Sequence, residues 1–305
     1  MNQGRGLGVA ALLCLLSAAA VQAAEPQGAA VRTRLHYAGR ASLAEPALRS
    51  SAALVLDATR SSVLFARRAD VPMPIASITK LMTALVVMEA GQPLDEMLEV
   101  TGADRSHVRG AASRLVPGTH LTRGDLMHLA LMASENRAAH ALARNYPGGV
   151  DGCVSAMNAK ARALGMTTAH FVEPTGLSDG DVASAEDLSK LVMAAAKVPA
   201  IREYSTDHGY DVRVGKRMVR FRSTDSLTAR PDWDIVVQKT GYISRAGRCL
   251  VMQTVIDERT VVIVLLNSYG KHTRVADARR VRRWMEATER ARDPTVASAP
   301  APATT

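Results

Sequence analysis

The apolar residues of this chain change their period twice, and that change restricts the folds open to it. Ala52–Asp57 is a short apolar run, Ala58-Thr59-Arg60-Ser61 has turn composition, and Val63–Ala66 is a second run, which together predict an opening β-hairpin. From Ser77 to Ala90 the spacing becomes helical. Ile78, Leu81, Met82, Leu85, Val86 and Met88 surround much of the helix, and Gly91 and Pro93 end it. A helix apolar on several sides belongs inside a domain.

More helices follow. One block opens with Thr122 and Asp125 at capping-box spacing, runs through Leu126–Met132, and resumes over Arg137–Asn145 before Pro147-Gly148-Gly149. Val150–Leu164 ends at Gly165, and Ala185–Lys197, capped by Ser184 with Asp187 three positions on, ends near Pro199. Between these two lies the loop 173–180, Glu-Pro-Thr-Gly-Leu-Ser-Asp-Gly. After residue 205 the period returns to two: Asp211–Val214 and Lys216–Arg222 around Gly215, then Ile235–Lys239, Arg248–Ile256 and Val261–Leu266, with a final helix over His272–Arg292. Strands, then helices, then strands with one helix argue for an α+β fold with an antiparallel sheet shared by both ends of the chain. The helices of roughly residues 92–205 form an inserted cluster, and a ligand cleft is expected between cluster and sheet.

Residues 1–23 read as a cleavable secretory signal. Arg5 is their only charge, an apolar run spans Leu7–Val21, and Val21-Gln22-Ala23 places small residues at −3 and −1. The run is too short for a spanning helix, and Leu13 before Cys14 does not fit a lipoprotein signal. Residues 24–44 are a lead-in, 45–292 the folded domain, and the Pro-, Ala- and Thr-rich residues 293–305 a disordered tail. The formal charge of +9 falls to +8 once Arg5 is removed. Export separates such a chain from nucleic acid, so an anionic envelope polymer is the better electrostatic partner. The tail-helix arginines Arg279, Arg280, Arg282 and Arg283 allow at most peripheral membrane contact. Cys153 in a helical pattern and Cys249 in a strand pattern are too few and too far apart to be a disulfide framework.

Three short motifs carry chemistry. Ser77-Ile78-Thr79-Lys80 places an amine one helical turn from a hydroxyl, where side chains three apart are neighbours, and serine needs such a base to become a nucleophile. Ser268-Tyr269-Gly270-Lys271 repeats the spacing, but in a turn after a strand rather than at the head of an apolar helix. Ser134-Glu135-Asn136 sits at a helix interruption, where polar side chains reach a cleft. Lys239-Thr240-Gly241 ends a predicted strand and brings a cation, a hydroxyl and a close-approaching backbone together. Each residue has an ordinary structural explanation taken singly. In this order, at separations of 57 and 105 residues, the set points to catalysis.

With these motifs the chain resembles the penicillin-binding proteins and serine β-lactamases. The strings Pro-Ile-Ala-Ser-Ile-Thr-Lys-Leu-Met-Thr-Ala (74–84), Met-Ala-Ser-Glu-Asn-Arg-Ala-Ala (132–139) and Phe-Val-Glu-Pro-Thr-Gly-Leu (171–177) are more narrowly similar to the D-alanyl-D-alanine endopeptidases among the low-molecular-mass penicillin-binding proteins. The resemblance covers about residues 45–290. It implies a five-stranded antiparallel sheet flanked by helices with a helical subdomain, and a serine peptidase of the periplasm that cleaves peptidoglycan cross-links through acyl-Ser77. It implies further that β-lactams acylate the same serine, and that the Ser77 and Tyr242 backbone N–H groups form the oxyanion hole.

A lysine must shed a proton to act as a base, which at pH 7 costs about 5 kcal/mol from an ordinary pKa. A second ammonium about 4 Å away contributes about 4 kcal/mol at an effective dielectric near 20, and burial adds to it. Lys239 is the candidate, and with Thr240 it also orients a substrate carboxylate. In this reading Lys80 deprotonates Ser77, Ser134 relays the proton to the leaving amine, and Asn136 holds the substrate amide.

Glu135 stands where many relatives have Asp, and carries no catalytic role. Glu173 precedes Pro174 without the motif of a deacylating glutamate, so β-lactams are expected to trap the enzyme rather than be hydrolysed quickly. Ser223-Thr224-Asp225-Ser226-Leu227 departs from the Asn-rich string of relatives, which leaves that cleft edge unassigned. The eight histidines show no compact ligand spacing, His120 and His128 included, so a metal peptidase is disfavoured, and no cofactor motif is present. The alternatives are a DD-carboxypeptidase that removes a terminal D-alanine, a β-lactamase, and a non-catalytic wall-binding or β-lactam-sensing module.

Overall fold

Where a strand is covered on both faces its residues all become apolar, and the two central strands show this. In the computed structural model, which describes residues 36–37, 45–105 and 113–292, β1 is His36–Tyr37, β2 Ser50–Asp57, β3 Ser62–Arg67 and β4 Met73–Pro74. A 3-10 turn at Ala76–Ile78 leads into α1, Thr79–Glu89. Then come β5 Met97–Val100, β6 Thr119–Thr122, α2 Arg123–Met132, α3 Asn136–Arg144, α4 Gly149–Ala163, β7 Val182–Ala183, α5 Ala185–Ala195 and α6 Pro199–Thr206. The chain returns to strands with β8 Gly209–Val214, β9 Arg217–Arg222, β10 Asp234–Ile243, β11 Gly247–Ile256 and β12 Arg259–Ser268, and α7 is Thr273–Arg292.

Strands β3, β2, β12, β11 and β10 lie side by side in that order, each antiparallel to its neighbour. The two ends of the chain meet in the β2–β12 pair, where Val55 faces Ile263 and Ala53 faces Leu265. This is the five-stranded α+β sheet expected. The two-residue strand β1 joins it in parallel at the β3 edge, inside the segment read as a lead-in. In β2, Ala52, Leu54 and Leu56 face the helical cluster, while Ala53 and Val55 join the core under α7 with Ala278, Val281 and Met285. The period of two is intact, but both faces are dry. Helix α1 lies between sheet and cluster, and every residue from Thr79 to Val87 is buried.

Local signals account for most boundaries. Thr122 and Asp125 form the expected capping box, and Ser184 Oγ accepts from the Asp187 N–H. Two features escaped the sequence reading. Pro199 was expected to follow a helix end, but it occupies the first turn of α6, where a missing N–H costs nothing. The pair β5–β6 is four residues a side and lacks a tight-turn signal, because the two strands are far apart in sequence. The signal-peptide assignment, most of the lead-in and the tail lie outside the described residues. No helix among the described residues is long and apolar enough to cross a membrane. Cys153 and Cys249 are both free and buried.

One buried carboxylate ties the cluster together. Asp104 accepts from the Arg144 Nε at 3.0 Å, lies 2.9 Å from His140 Nδ1, and caps its own turn through the Thr101 N–H at 2.7 Å. Burial raises its pKa, but these hydrogen bonds outweigh burial and bring it down to about 2. A carboxylate depressed below its unfolded value stabilises the fold above about pH 4, and that contribution is lost as pH falls towards 2. Urea unfolding across this range should therefore show falling stability, with a shallower fall in Asp104→Asn.

Candidate active site

The chain enters α1 through an energetically costly turn. Ala76 sits at φ +50°, a region a non-glycine residue rarely adopts, and Ser77 follows it in the 3-10 turn rather than in the helix proper. Asp181 holds this turn from beneath: its backbone O accepts from Ile75 N at 3.1 Å, and its Oδ2 accepts from Thr79 Oγ1 at 2.9 Å. Two glycines let neighbours close in. A Cβ on Gly241 would come within 2.8 Å of the Ile75 O, and one on Gly176, at φ +77°, within 2.0 Å of the Ala76 O. Strand β10 and the loop 173–180 therefore pack directly against the Ser77 turn.

Lys80, with no solvent exposure, projects from the first turn of α1 into this junction. Its Nζ lies 2.9 Å from Ser77 Oγ and donates to Asn136 Oδ1 at 2.8 Å and to the Thr175 O at 2.5 Å. Two of these partners are pure acceptors and the third is a hydroxyl. A neutral amine satisfies all three with two N–H donors to the oxygens and its lone pair on Ser77 O–H. Asn136 was expected to hold a substrate amide; its Oδ1 is engaged with Lys80, and its Nδ2 has no protein partner among the described residues.

Ser134, at φ +58° where α2 breaks, is a second non-glycine residue in the left-handed region. Its Oγ accepts from Lys239 Nζ at 2.9 Å, and the same Nζ donates to the Thr240 O at 2.9 Å. Thr240 Oγ1 is 2.6 Å from Thr224 Oγ1, and Thr224 N donates to the Met132 O, so the 223–227 string does support the cleft edge. Tyr242 closes the motif strand with an exposed ring on which Arg248 stacks, its guanidinium carbon 4.4 Å from the ring centroid. The three motifs thus form two linked groups: Ser77, Lys80 and Asn136 on one side, Ser134, Lys239, Thr240, Gly241 and Tyr242 on the other. Among the described residues no hydrogen bond joins Ser134 directly to Ser77. The second S-x-x-K is structural, with Ser268 Oγ bonded to Ser50 Oγ at 2.6 Å.

Burial is the largest influence on Lys80 and lowers its pKa to about 8, against the opposing charges of Glu173, Glu135 and Asp181. The expectation that Lys239 would be the main depressant needs correction. Lys239 is itself pushed well down, by burial first and then by the charges of Lys80 and Arg274. One carboxylate, Asp225, opposes this, against the three that act on Lys80, which makes its ammonium the less supported of the two.

Several residues had no sequence signal. Asp181 is pushed up to about 7 by burial and by the charge of Glu173, while the Val172 and Glu173 N–H groups donate to its Oδ1. Arg274, at the head of α7, donates to the Gly241 O at 3.1 Å and keeps a buried Nε without a partner. Both are distant in sequence from the motifs they touch. Glu173 is consumed by its own loop, accepting from Thr175 N, Thr175 Oγ1 and Leu177 N at 2.8, 2.6 and 2.7 Å. Glu135 is buried and accepts from Ser113 Oγ. Because the Glu135 charge raises the Lys80 pKa, Glu135→Gln should move the Lys80 titration below its position near 8. NMR of ε-carbon-labelled lysine checks this.

The sequence profile of peptidase S11, D-alanyl-D-alanine carboxypeptidase, matches residues 40–270. The chain is 47% identical over 241 residues to the D-alanyl-D-alanine endopeptidase of Pseudomonas aeruginosa, covering 78% of each sequence. It is 43% identical over 244 residues to that of Escherichia coli K12, covering 79% of each. Its fold is that of the Streptomyces K15 DD-transpeptidase, with a TM-score of 0.75 at 24% identity over 80% of this chain and 100% of the other. A buried lysine on a serine hydroxyl, a second lysine on a second serine, and a profile match across most of the chain agree, and the chain belongs to the peptidase S11 family of serine D-Ala-D-Ala peptidases.

Proposed function

We propose that this chain is a DD-endopeptidase that hydrolyses D-alanyl cross-links of peptidoglycan through an acyl-Ser77 intermediate, acting in the periplasm after export by residues 1–23. The observation that carries the mechanism is the three-way coordination of Lys80 Nζ by Ser77 Oγ, Asn136 Oδ1 and the Thr175 O. The endopeptidase specificity is carried by similarity to the two endopeptidases above. One catalytic domain over residues 45–292, with the helices of roughly 92–205 as one wall of its cleft, would contain every residue used.

With a pKa near 8, neutral Lys80 costs about 1 kcal/mol at pH 7 rather than about 5. Lys80 takes the Ser77 proton as Oγ attacks the D-alanyl carbonyl carbon. The carbonyl electron pair moves onto oxygen, between the N–H groups of Ser77 and Tyr242. Such donors are worth about 10²–10³ in rate each, because they meet charge that develops only in the transition state. The C–N bond then breaks, and the proton held by Lys80 passes to the departing amine through the hydroxyl of Ser134, which Lys239 orients at 2.9 Å. Water repeats the sequence on the ester and frees Ser77. Thr240 and Lys239 receive the carboxylate of the leaving residue. β-Lactams enter the same path, and with Glu173 held by its loop no additional base speeds deacylation, so the adduct persists.

Incubation of purified peptidoglycan with mature protein, read by mass spectrometry, should convert cross-linked dimers to monomers, and Ser77→Ala should not. Loss of only a terminal D-alanine from pentapeptides would make the enzyme a carboxypeptidase, and an unchanged profile would point to a binding or sensing role. Acylation of Ser77 by penicillin should rise with pH along a limb centred near 8. A flat profile between about pH 6 and 9 would count against Lys80 as the base.

A further inference from the structure

Next to the Thr224–Thr240 contact is a cavity of about 370 Å³ that the mechanism does not use, lined by His208, Arg220, Arg222, Ser223, Asp225 and Thr228 among others. Its position is set by hydrogen bonds. Thr224, between Ser223 and Asp225, touches Thr240 Oγ1 at 2.6 Å, and Ser223 N donates to the His208 O at 3.1 Å. The cavity is therefore one residue removed from the hydroxyl that receives substrate.

Its charge is strongly biased. The β8–β9 hairpin carries Arg213, Lys216, Arg217, Arg220 and Arg222 against the single acid Asp211. Arg220 pairs with Asp211 at 2.7 Å and lies across Gly209, where a Cβ would come within 2.7 Å of its Nη2. Arg222 lies exposed beside it, and its guanidinium has no ion-pair or hydrogen-bond partner among the described residues. The one acid lining the cavity is Asp225, 1% exposed, whose Oδ1 accepts from Leu227 N at 3.0 Å while Oδ2 is buried without a partner. Burial pushes the Asp225 pKa up, against the Leu227 N–H and the charges of Arg274 and Lys239. An unpaired guanidinium fork beside the Ser223 hydroxyl matches one kind of ligand, a planar anion with two equivalent acceptor oxygens.

We propose that this cavity is a subsite for a free carboxylate on the peptide flanking the scissile D-alanyl bond, with Arg222 as its two-pronged anchor. The proposal rests on the D-Ala-D-Ala peptidase reading, in which Thr240 receives the substrate and Thr224 ties the cavity lining to Thr240. The ligand is the acidic peptide itself, so the subsite makes the enzyme discriminate between stem peptides with free and with amidated carboxylates.

The test uses two soluble cross-linked muropeptide dimers of one sequence, one with free stem carboxylates and one amidated, with the mature full chain. The wild type should favour the free acid by about tenfold or more in kcat/KM, chiefly through KM, as expected for one charge-assisted paired contact. Arg222→Gln should bring the free-acid value down to the amidated one, and Arg222→Lys should keep part of the preference. Thr228→Asp, a second variant that adds an anion to the same cavity, should reverse it. Thermal unfolding midpoints check that each variant is folded. Equal kcat/KM for the two dimers in the wild type, or an undiminished preference in folded Arg222→Gln, overturns the proposal. If neither dimer is cut but pentapeptides lose D-alanine, the endopeptidase reading fails, and free and amidated pentapeptides then decide the subsite by the same comparison.

Discussion

Two lysine side chains without solvent exposure, Lys80 and Lys239, occupy one cleft with no carboxylate in contact with either. Removing an ammonium from water costs several kcal/mol, and a second ammonium nearby adds to that cost. The pair persists because carbonyl and hydroxyl oxygens from four segments surround it: Thr175 from the loop, Asn136 and Ser134 from the break between α2 and α3, Ser77 from the turn, and the Thr240 backbone. The carboxylates of Glu173, Glu135 and Asp181 act on Lys80 from behind these oxygens, and limit how far burial lowers its pKa. An enclosure this dry lowers the amine's pKa to about 8, which brings the neutral base within about 1 kcal/mol at pH 7.

The scaffold keeps that arrangement in place. Ala76 and Ser134, both at positive φ, lie in the turns that carry Ser77 and Ser134, and conformations of this kind cost of order 1–3 kcal/mol each. They are held because α1 is buried along its length between sheet and cluster, and because β10 and the loop 173–180 press against the Ser77 turn from two sides. Asp181 links the two, bonded both to Thr79 in α1 and to the start of the loop that supplies Thr175. Strain at the site is thus balanced by packing around it. The cavity beyond Thr240 shares this support through Thr224, so a ligand there would lie against a rigid edge of the sheet.

Much of the fold was legible in the chain. The hairpin β2–β3, helices α1 to α5, the strands after residue 205 and helix α7 follow from apolar spacing, caps and turns, because these are local properties. Helix α6 and the pair β5–β6 were not, since the first begins at a proline that also reads as a stop and the second pairs strands far apart in sequence. The motif residues Ser77, Lys80, Ser134, Asn136, Lys239, Thr240, Gly241 and Tyr242 were named from spacing and resemblance, and all eight line the same cleft region. Within that region Asn136 contacts Lys80, and Lys239 contacts Ser134.

The amino-acid order by itself determined most of the elements and the set of reactive groups, because period, capping and residue chemistry act over a few neighbours. It left open which groups would control them. Thr175 on Lys80, Asp181 beneath Thr79 and Arg274 on Gly241 are each contacts between segments tens of residues or more apart. Such relations arise only when the chain packs, since burial and the distance between charges belong to no single segment, and these two quantities decide whether a lysine is an acid or a base.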